Sequence, residues 1–230
     1  MQLIGRYRNA GFEAVADGVM GFFDRRHDLW RPGVAFGPGG ETEPAKVSTD
    51  ISLVAIDHSD PEAFALADVI QRGVTAGLER WLQERPLWRQ CCPEQELFVV
   101  PIFNLQRYAP GEGFHRWHCD WTTEAEATEP MRRVLAWILY GNTLADGGTE
   151  FHWQDHHEEA ERGKLVIFPA GLSHIHRGRI NNTHSKTIAT GWINAGNVND
   201  FTSRLATSGL GPGLDANSSV GFHSGVAKPT

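Results

Sequence analysis

Between residues 97 and 194 the chain is a succession of short apolar runs separated by glycines and polar turns, with no helical periodicity between them. The runs predict strands over 97–108, 114–121, 132–140, 149–153, 164–168, 173–179 and 186–194. A doubly wound parallel sheet needs a crossover helix between successive strands, and none is written here. Strands of this size and spacing pack instead as two antiparallel sheets, a jelly roll. The expected fold class is mostly β with flanking helices: a double-stranded β-helix, cupin-like core packed on N-terminal helices.

The helices lie ahead of that region. Phe12, Val15, Val19, Phe22 and Phe23 recur at helical intervals within 9–29. Residues 31–47, rich in Pro, Gly and Glu, read as a surface loop placed to lie over a site. Val47–Ile56 is β-branched and alternating, a strand. Asp60-Pro61 supplies an N-cap and a first-turn proline, and Leu66, Val69, Ile70, Val74, Leu78, Trp81 and Leu82 then mark one face of a long helix ending before Pro86. These elements read as scaffold. The expected organisation is one domain, with 1–96 supporting the core, 97–194 forming the catalytic jelly roll, and 195–230 a loosely packed tail with one short turn.

Charge narrows the partners. With 21 Lys and Arg against 28 Asp and Glu, the net charge of −7 argues against nucleic acid, which demands clustered cations. No apolar run approaches bilayer length, and the N-terminal segment is interrupted by Glu13, Asp17 and Asp24, so neither a membrane span nor a signal peptide is expected. Cys91, Cys92 and Cys119 make no disulfide framework, and reduced thiols in the cytoplasm are the simplest expectation.

The chemistry concentrates at Tyr108–Asp120, which ends His118-Cys119-Asp120. Residues two apart on a strand share a face, so His118 and Asp120 project together. One imidazole and one carboxylate are two thirds of a facial triad for non-heme Fe(II). A second histidine comes from 163–192, which opens Gly-Lys-Leu-Val-Ile-Phe-Pro and continues through His174, His176, Lys186 and Trp192. His174 and His176 share a strand face, and local geometry leaves either as the third ligand. Lys186, Ile188, Thr190 and Trp192 share one face of the last strand, and an inward lysine requires an anion.

Together these motifs resemble the prolyl 4-hydroxylase-like branch of the Fe(II)/2-oxoglutarate-dependent oxygenases. That family's pattern is an aromatic-rich strand ending in His-x-Asp, a Gly-Gly-x-Thr turn, Gly-x-Leu-Val-x-Phe-Pro, and a distal His. A basic residue follows ten positions later, and a Trp six beyond it. Here His176, Lys186 and Trp192 keep that spacing, and the likeness runs over roughly 100–194. His184 stands ten after His174, which keeps a second register open. In Gly147-Gly148-Thr149 the threonine follows the glycines directly, a departure from the family turn.

The resemblance implies His118, Asp120 and His176 as iron ligands, with three coordination positions left for a bidentate 2-oxo acid and O2. It implies Lys186 on the distal carboxylate of 2-oxoglutarate, with Tyr108, Thr149 and Trp192 on the cofactor side and His174 either behind the ligands or on the substrate side. The implied reaction decarboxylates 2-oxoglutarate to succinate and CO2 while hydroxylating an unactivated C–H, with ascorbate as reductant. The retained Asp120 favours hydroxylation over halogenation. The implied substrate is a prolyl residue of a peptide or protein, with a free amino acid or small metabolite as the alternative. A non-catalytic cupin-like metal-binding or sensing protein, or a zinc hydrolase, would use the same ligands, but the first has no use for Lys186 and no particular Glu stands out as a base for the second. His152, His156 and His157 read as a solvated polar loop. Arg177 and Arg179 read as readers of an acidic substrate or as strand-end residues, and Trp117, Trp121, Trp137 and Trp153 as core or rim.

Overall fold

The computed structural model describes residues 3–33, 35, 45–92, 96–121 and 133–207. In chain order the described elements are β1 (Gly5–Tyr7), α1 (Ala10–Arg25), β2 (Arg31–Pro32), β3 (Thr49–Val54), α2 (Pro61–Gln83), α3 (Leu87–Cys91), β4 (Leu97–Tyr108), β5 (Arg133–Tyr140), β6 (Leu144–Phe151), β7 (His156–Ala160), β8 (Leu165–Pro169), β9 (His176–Gly178), β10 (Lys186–Ala195) and α4 (Val198–Thr207). Asn9 starts α1 by accepting from the Phe12 amide at 2.8 Å, and Asp60 starts α2 by accepting from the Glu62 and Ala63 amides. Each cap satisfies donors that a helix start leaves bare.

Two antiparallel sheets face each other. The larger has seven strands in the order β1-β8-β5-β10-β4-β3-β2, and the smaller has three, β7-β6-β9. β1, β2 and β3 come from the segment expected to support the core, yet they are hydrogen-bonded into the larger sheet at its two edges.

Strand alternation divides the larger sheet into two faces. Phe103, Leu105, Trp137, Leu139, Ala189 and Ile193 meet Phe22, Phe23, Ile70, Val74 and Trp81 from α1 and α2 in one core. Phe103 and Trp137 contact edge to face, with centroids 5.6 Å apart. Truncating such a ring costs about 3–5 kcal/mol in comparable cores. The opposite face contributes Tyr108, Ile138, Tyr140, Phe168 and Ile188, which pack with Leu144 and Phe151 of the smaller sheet. The helices therefore hold the larger sheet from behind, and the space between the sheets is left for a site.

Several local expectations are corrected. Residues 114–121 form no continuous strand: only Phe114 and His118 bridge, to Lys46 and His176. The Arg116 carbonyl is taken by the His118 ring at 2.8 Å, which removes it from a ladder. Residues 173–179 split into a single 3-10 turn, Leu172–His174, and β9.

The expected polar loop around His156 and His157 is a strand, β7, whose inward position is Glu158. That carboxylate is bound by Arg6 at 2.6 Å and Lys164 at 2.8 Å. Burial pushes its pKa up, but the Lys164 and His156 hydrogen bonds and the nearby cations outweigh this and hold it below the usual glutamate value. Gly148 makes the adjacent pairing possible, since a Cβ there would lie 1.8 Å from the Glu158 carbonyl oxygen.

The expected loop over 31–47 begins as β2, and residues 34 and 36–44 lie outside the described residues. Its last part runs beside the chain leading to His118, with Val47 donating to the Gly113 carbonyl at 3.0 Å and His115 to Ala45 at 3.2 Å. The expected loose tail opens with α4, and residues 208–230 lie outside the described residues.

Candidate active site

Backbone pairing brings two distant histidines together. His118 and His176 exchange both main-chain hydrogen bonds, at 3.0 and 2.8 Å, which places their rings 4.4 Å apart. Asp120 is fixed by its amide donating to the Ala170 carbonyl at 2.9 Å. The ligating atoms of His118, Asp120 and His176 all lie within 4.8 Å of one another, and among the described residues this is the one group able to hold a metal ion. His176 Nε2 stands 3.6 Å from Asp120 Oδ2.

The imidazoles are oriented for ligation. His118 Nδ1 lies 2.8 Å from the Arg116 carbonyl, and His176 Nδ1 lies 3.0 Å from the His174 carbonyl. A carbonyl only accepts, so both Nδ1 atoms carry the proton and both Nε2 lone pairs are left for the site. Burial, followed by the charge of His176, pushes the His118 pKa down to about 3, which keeps its ring neutral. Phe114 stacks on His118 at 3.8 Å, and Phe168 meets His176 edge-on at 4.8 Å. Two imidazoles and a carboxylate on one side of an open cavity fit a facial-triad Fe(II).

The two registers left open by the sequence differ in space. His174 directs Nδ1 toward Ser173 Oγ at 3.0 Å and supplies the carbonyl that orients His176. His184 sits exposed in a turn beside Thr183. Neither belongs to the ligand group.

A cavity of about 680 Å3, including its open mouth, runs from the triad across the larger sheet, and Tyr108, Thr149, Lys186 and Trp192 all line it. Lys186 is 4% exposed. Its Nζ donates to the Arg179 carbonyl at 2.8 Å and lies 4.9 Å from the centre of the Tyr108 ring. Among the described residues no carboxylate pairs with it, and burial pushes its pKa down to about 8. Gly178 leaves room for the ammonium, since a Cβ there would sit 3.2 Å from Nζ. Tyr108 donates to Gln106 Oε1 at 2.6 Å, and burial raises its pKa well above the usual phenol value.

Thr149 Oγ1 lies 2.7 Å from the Tyr140 hydroxyl, with both groups buried in the cavity wall. Tyr140 was missed by sequence reasoning, because a tyrosine in an apolar strand reads as core; its position beside Thr149 appears only once β5 and β6 are placed.

Trp192 lines the same cavity as the triad, six residues along β10 from Lys186. Its ring stands at the other end of the cavity under the Arg133 guanidinium, 3.6 Å away. Arg177 and Arg179 pair with Glu150 on the smaller sheet, and Arg177 covers Trp117 at 4.3 Å. Trp137 is core, whereas Trp117, Trp121 and Trp153 are exposed.

The sequence model of the 2OG-Fe(II) oxygenase superfamily matches residues 103–194, the stretch that carries the triad and Lys186. Over that stretch the chain is similar to this superfamily. It is a 2-oxoglutarate-dependent Fe(II) dioxygenase, whose family chemistry uses Fe(II), 2-oxoglutarate and O2. Solved structures share the fold at low identity. A Pseudomonas putida prolyl-4-hydroxylase matches at TM-score 0.58 and 18% identity, covering 84% of this oxygenase and 92% of that chain. The viral collagen prolyl hydroxylase of Paramecium Bursaria Chlorella virus-1, in complex with 2OG, matches at 0.54 and 16%, covering 85% and 97%. A Trichoplax adhaerens prolyl hydroxylase in complex with a hypoxia inducible factor oxygen degradation domain peptide fragment matches at 0.57 and 9%, covering 88% and 87%. No curated protein matches this oxygenase in sequence. No described helix is long and apolar enough to cross a membrane.

Proposed function

We propose that this oxygenase hydroxylates an unactivated C–H bond of a prolyl residue in a peptide or protein, releasing succinate and CO2, with ascorbate maintaining the reduced metal. The observation that carries the cofactor reading is Lys186, a buried cation with no carboxylate partner among the described residues, in the same cavity as the triad. A buried unpaired charge is costly, and a diacid whose far end reaches it removes that cost. The prolyl reading is supported by the fold likeness to prolyl hydroxylases, one of them holding a peptide.

In this reading His118, Asp120 and His176 hold Fe(II) through Nε2, a carboxylate oxygen and Nε2. Bound there, Fe(II) supplies the centre at which O2 is activated. Lys186 takes the distal carboxylate of 2-oxoglutarate, with the Tyr108, Tyr140 and Thr149 hydroxyls lining the same end. Phe114, Phe168 and Ile188 exclude water from the reacting atoms. Trp192, at the other end, flanks the prime substrate.

Succinate formation from 2-oxoglutarate with Fe(II) and ascorbate tests this. Proline-containing peptides are expected to accelerate it, and Asp120→Ala to abolish it. Acceleration by free amino acids alone would redirect the assignment to a small metabolite. Bound metal with no 2-oxoglutarate turnover, and no visible charge-transfer band under anaerobic conditions, would reject the oxygenase reading.

A further inference from the structure

Asn104 lies in the middle of β4 on the cavity face, and it is 1% exposed. Its Oδ1 is buried with no hydrogen-bond partner. Leaving such a group unpaired costs its full desolvation, so native proteins rarely keep one without a use. The register places Asn104 opposite Thr190 on β10. The Thr190 hydroxyl donates to the Trp137 carbonyl at 2.8 Å, which leaves its oxygen as an acceptor. Ile138 and Trp192 complete this end of the cavity with apolar surface.

This end is separate from the diacid site. Lys186 pairs with Tyr108, and Thr190 with Asn104, so the two levels are four residues apart, roughly 13 Å at strand rise. A five-carbon diacid spans roughly 6 Å between its end carbons.

We propose that Asn104 is the specificity-determining residue of the prime-substrate subsite, and that it takes an amide group of the substrate. A carboxamide offers donors and an acceptor together. The orphaned Oδ1 calls for a donor, which a carboxylate lacks and an amide N–H supplies, while the chain attached to that amide lies on Trp192. The inference rests on the oxygenase reading above and names the group its substrate must carry: a backbone amide beside the target residue, or the carboxamide of a free metabolite.

The test titrates anaerobic wild-type protein, loaded with Fe(II) and 2-oxoglutarate, by tryptophan fluorescence. The probes are acetyl-prolyl methylamide, acetyl-prolyl methyl ester and L-glutamine. The two proline probes differ only in replacing one N–H by oxygen. The methylamide is expected to bind at least about tenfold more tightly than the ester, as buried polar sites discriminate against a missing donor. In Asn104→Leu that preference should collapse to within about twofold. Stronger binding of L-glutamine than of the methylamide would keep the amide and assign it to a small molecule.

Melting temperature gives a second readout that needs no ligand. Metal-free Asn104→Leu should melt at or above the wild-type temperature, because it removes an unpaired polar group. Asn104→Ala, which adds no branched atoms, serves the same comparisons if the leucine variant does not fold. No amide-dependent signal in the wild-type protein, an unchanged preference in the variants, or a melting loss in both variants overturns the proposal. The cofactor reading is judged separately, by succinate production in the wild-type protein.

Discussion

Replacing Lys186 by methionine separates a cofactor ligand from a structural cation. In the protein without 2-oxoglutarate, the Lys186 pKa stands at about 8 against an ordinary 10.5, and burial is the cause. At about 1.4 kcal/mol per unit, keeping the ammonium charged at neutral pH costs about 3 kcal/mol. Methionine fills a similar volume without the charge but orphans the Arg179 carbonyl that Nζ now reaches at 2.8 Å, which returns about 1 kcal/mol. The net expectation is a gain of about 2 kcal/mol at pH 7, or a rise of roughly 4–8 °C in melting temperature for a domain of this size.

The pH dependence follows from the same shift. Between about 8 and 10.5 the unfolded chain keeps the lysine proton that the folded protein has lost. Wild-type stability therefore rises with pH across that window, and the variant lacks this component. Affinity for 2-oxoglutarate has the opposite trend in the wild type, weakening as pH passes about 8 and the ammonium is lost. Calorimetry on metal-free protein at several pH values, then with Fe(II) and excess 2-oxoglutarate, reads both. At about 100 times its dissociation constant the cofactor should add about 2.7 kcal/mol to the wild type and little to the variant. If Lys186→Met melts lower than the wild type without cofactor at pH 7, the lysine is a structural element and the reasoning fails.

Two further perturbations address the metal and the corner beside it. His176→Ala should abolish Fe(II) binding, measured by anaerobic titration, while His174→Ala keeps most of it, because His174 acts through its carbonyl; loss of metal in His174→Ala alone would reverse the ligand assignment. Asp50→Asn leaves the Lys46 ammonium, 1% exposed and 2.6 Å from Asp50, without its counter-charge; urea unfolding should show a loss of about 3–5 kcal/mol, and a loss below about 1 kcal/mol would mean the pair is solvated.

The fold was legible where side chains obey the pleat. β4 and β10 carry long, mostly apolar stretches that read as strands, and the helices declare themselves through the spacing of Phe12, Val15, Val19, Phe22 and Phe23 and through Asp60 and Pro61. β7 was illegible for a physical reason: its buried position is a carboxylate whose partner Arg6 lies 152 residues away in sequence, so no local pattern marks it as inward. The placing of His118 and Asp120 on a shared side needed only an extended chain, and it holds although 114–121 is two bridges rather than a strand. The choice between His174 and His176 was not local, because it depends on which backbone the Arg116–His118 segment pairs with. Asn104 was invisible since an asparagine in a strand carries no signal until its neighbours are seen to leave it unpaired.

The site is assembled from parts of unequal firmness. Lys186 belongs to a ten-residue strand flanked on both sides by long partners, whereas the histidines hang on a three-residue strand and a two-bond bridge. Local opening is easiest where few main-chain bonds must break. Amide exchange at His118 and His176 is therefore expected to outpace that along the middle of β10. A metal held by the triad would then exchange with solution without global unfolding, so its content would follow the supply around the folded protein, an outcome that isotope exchange of the loaded protein checks.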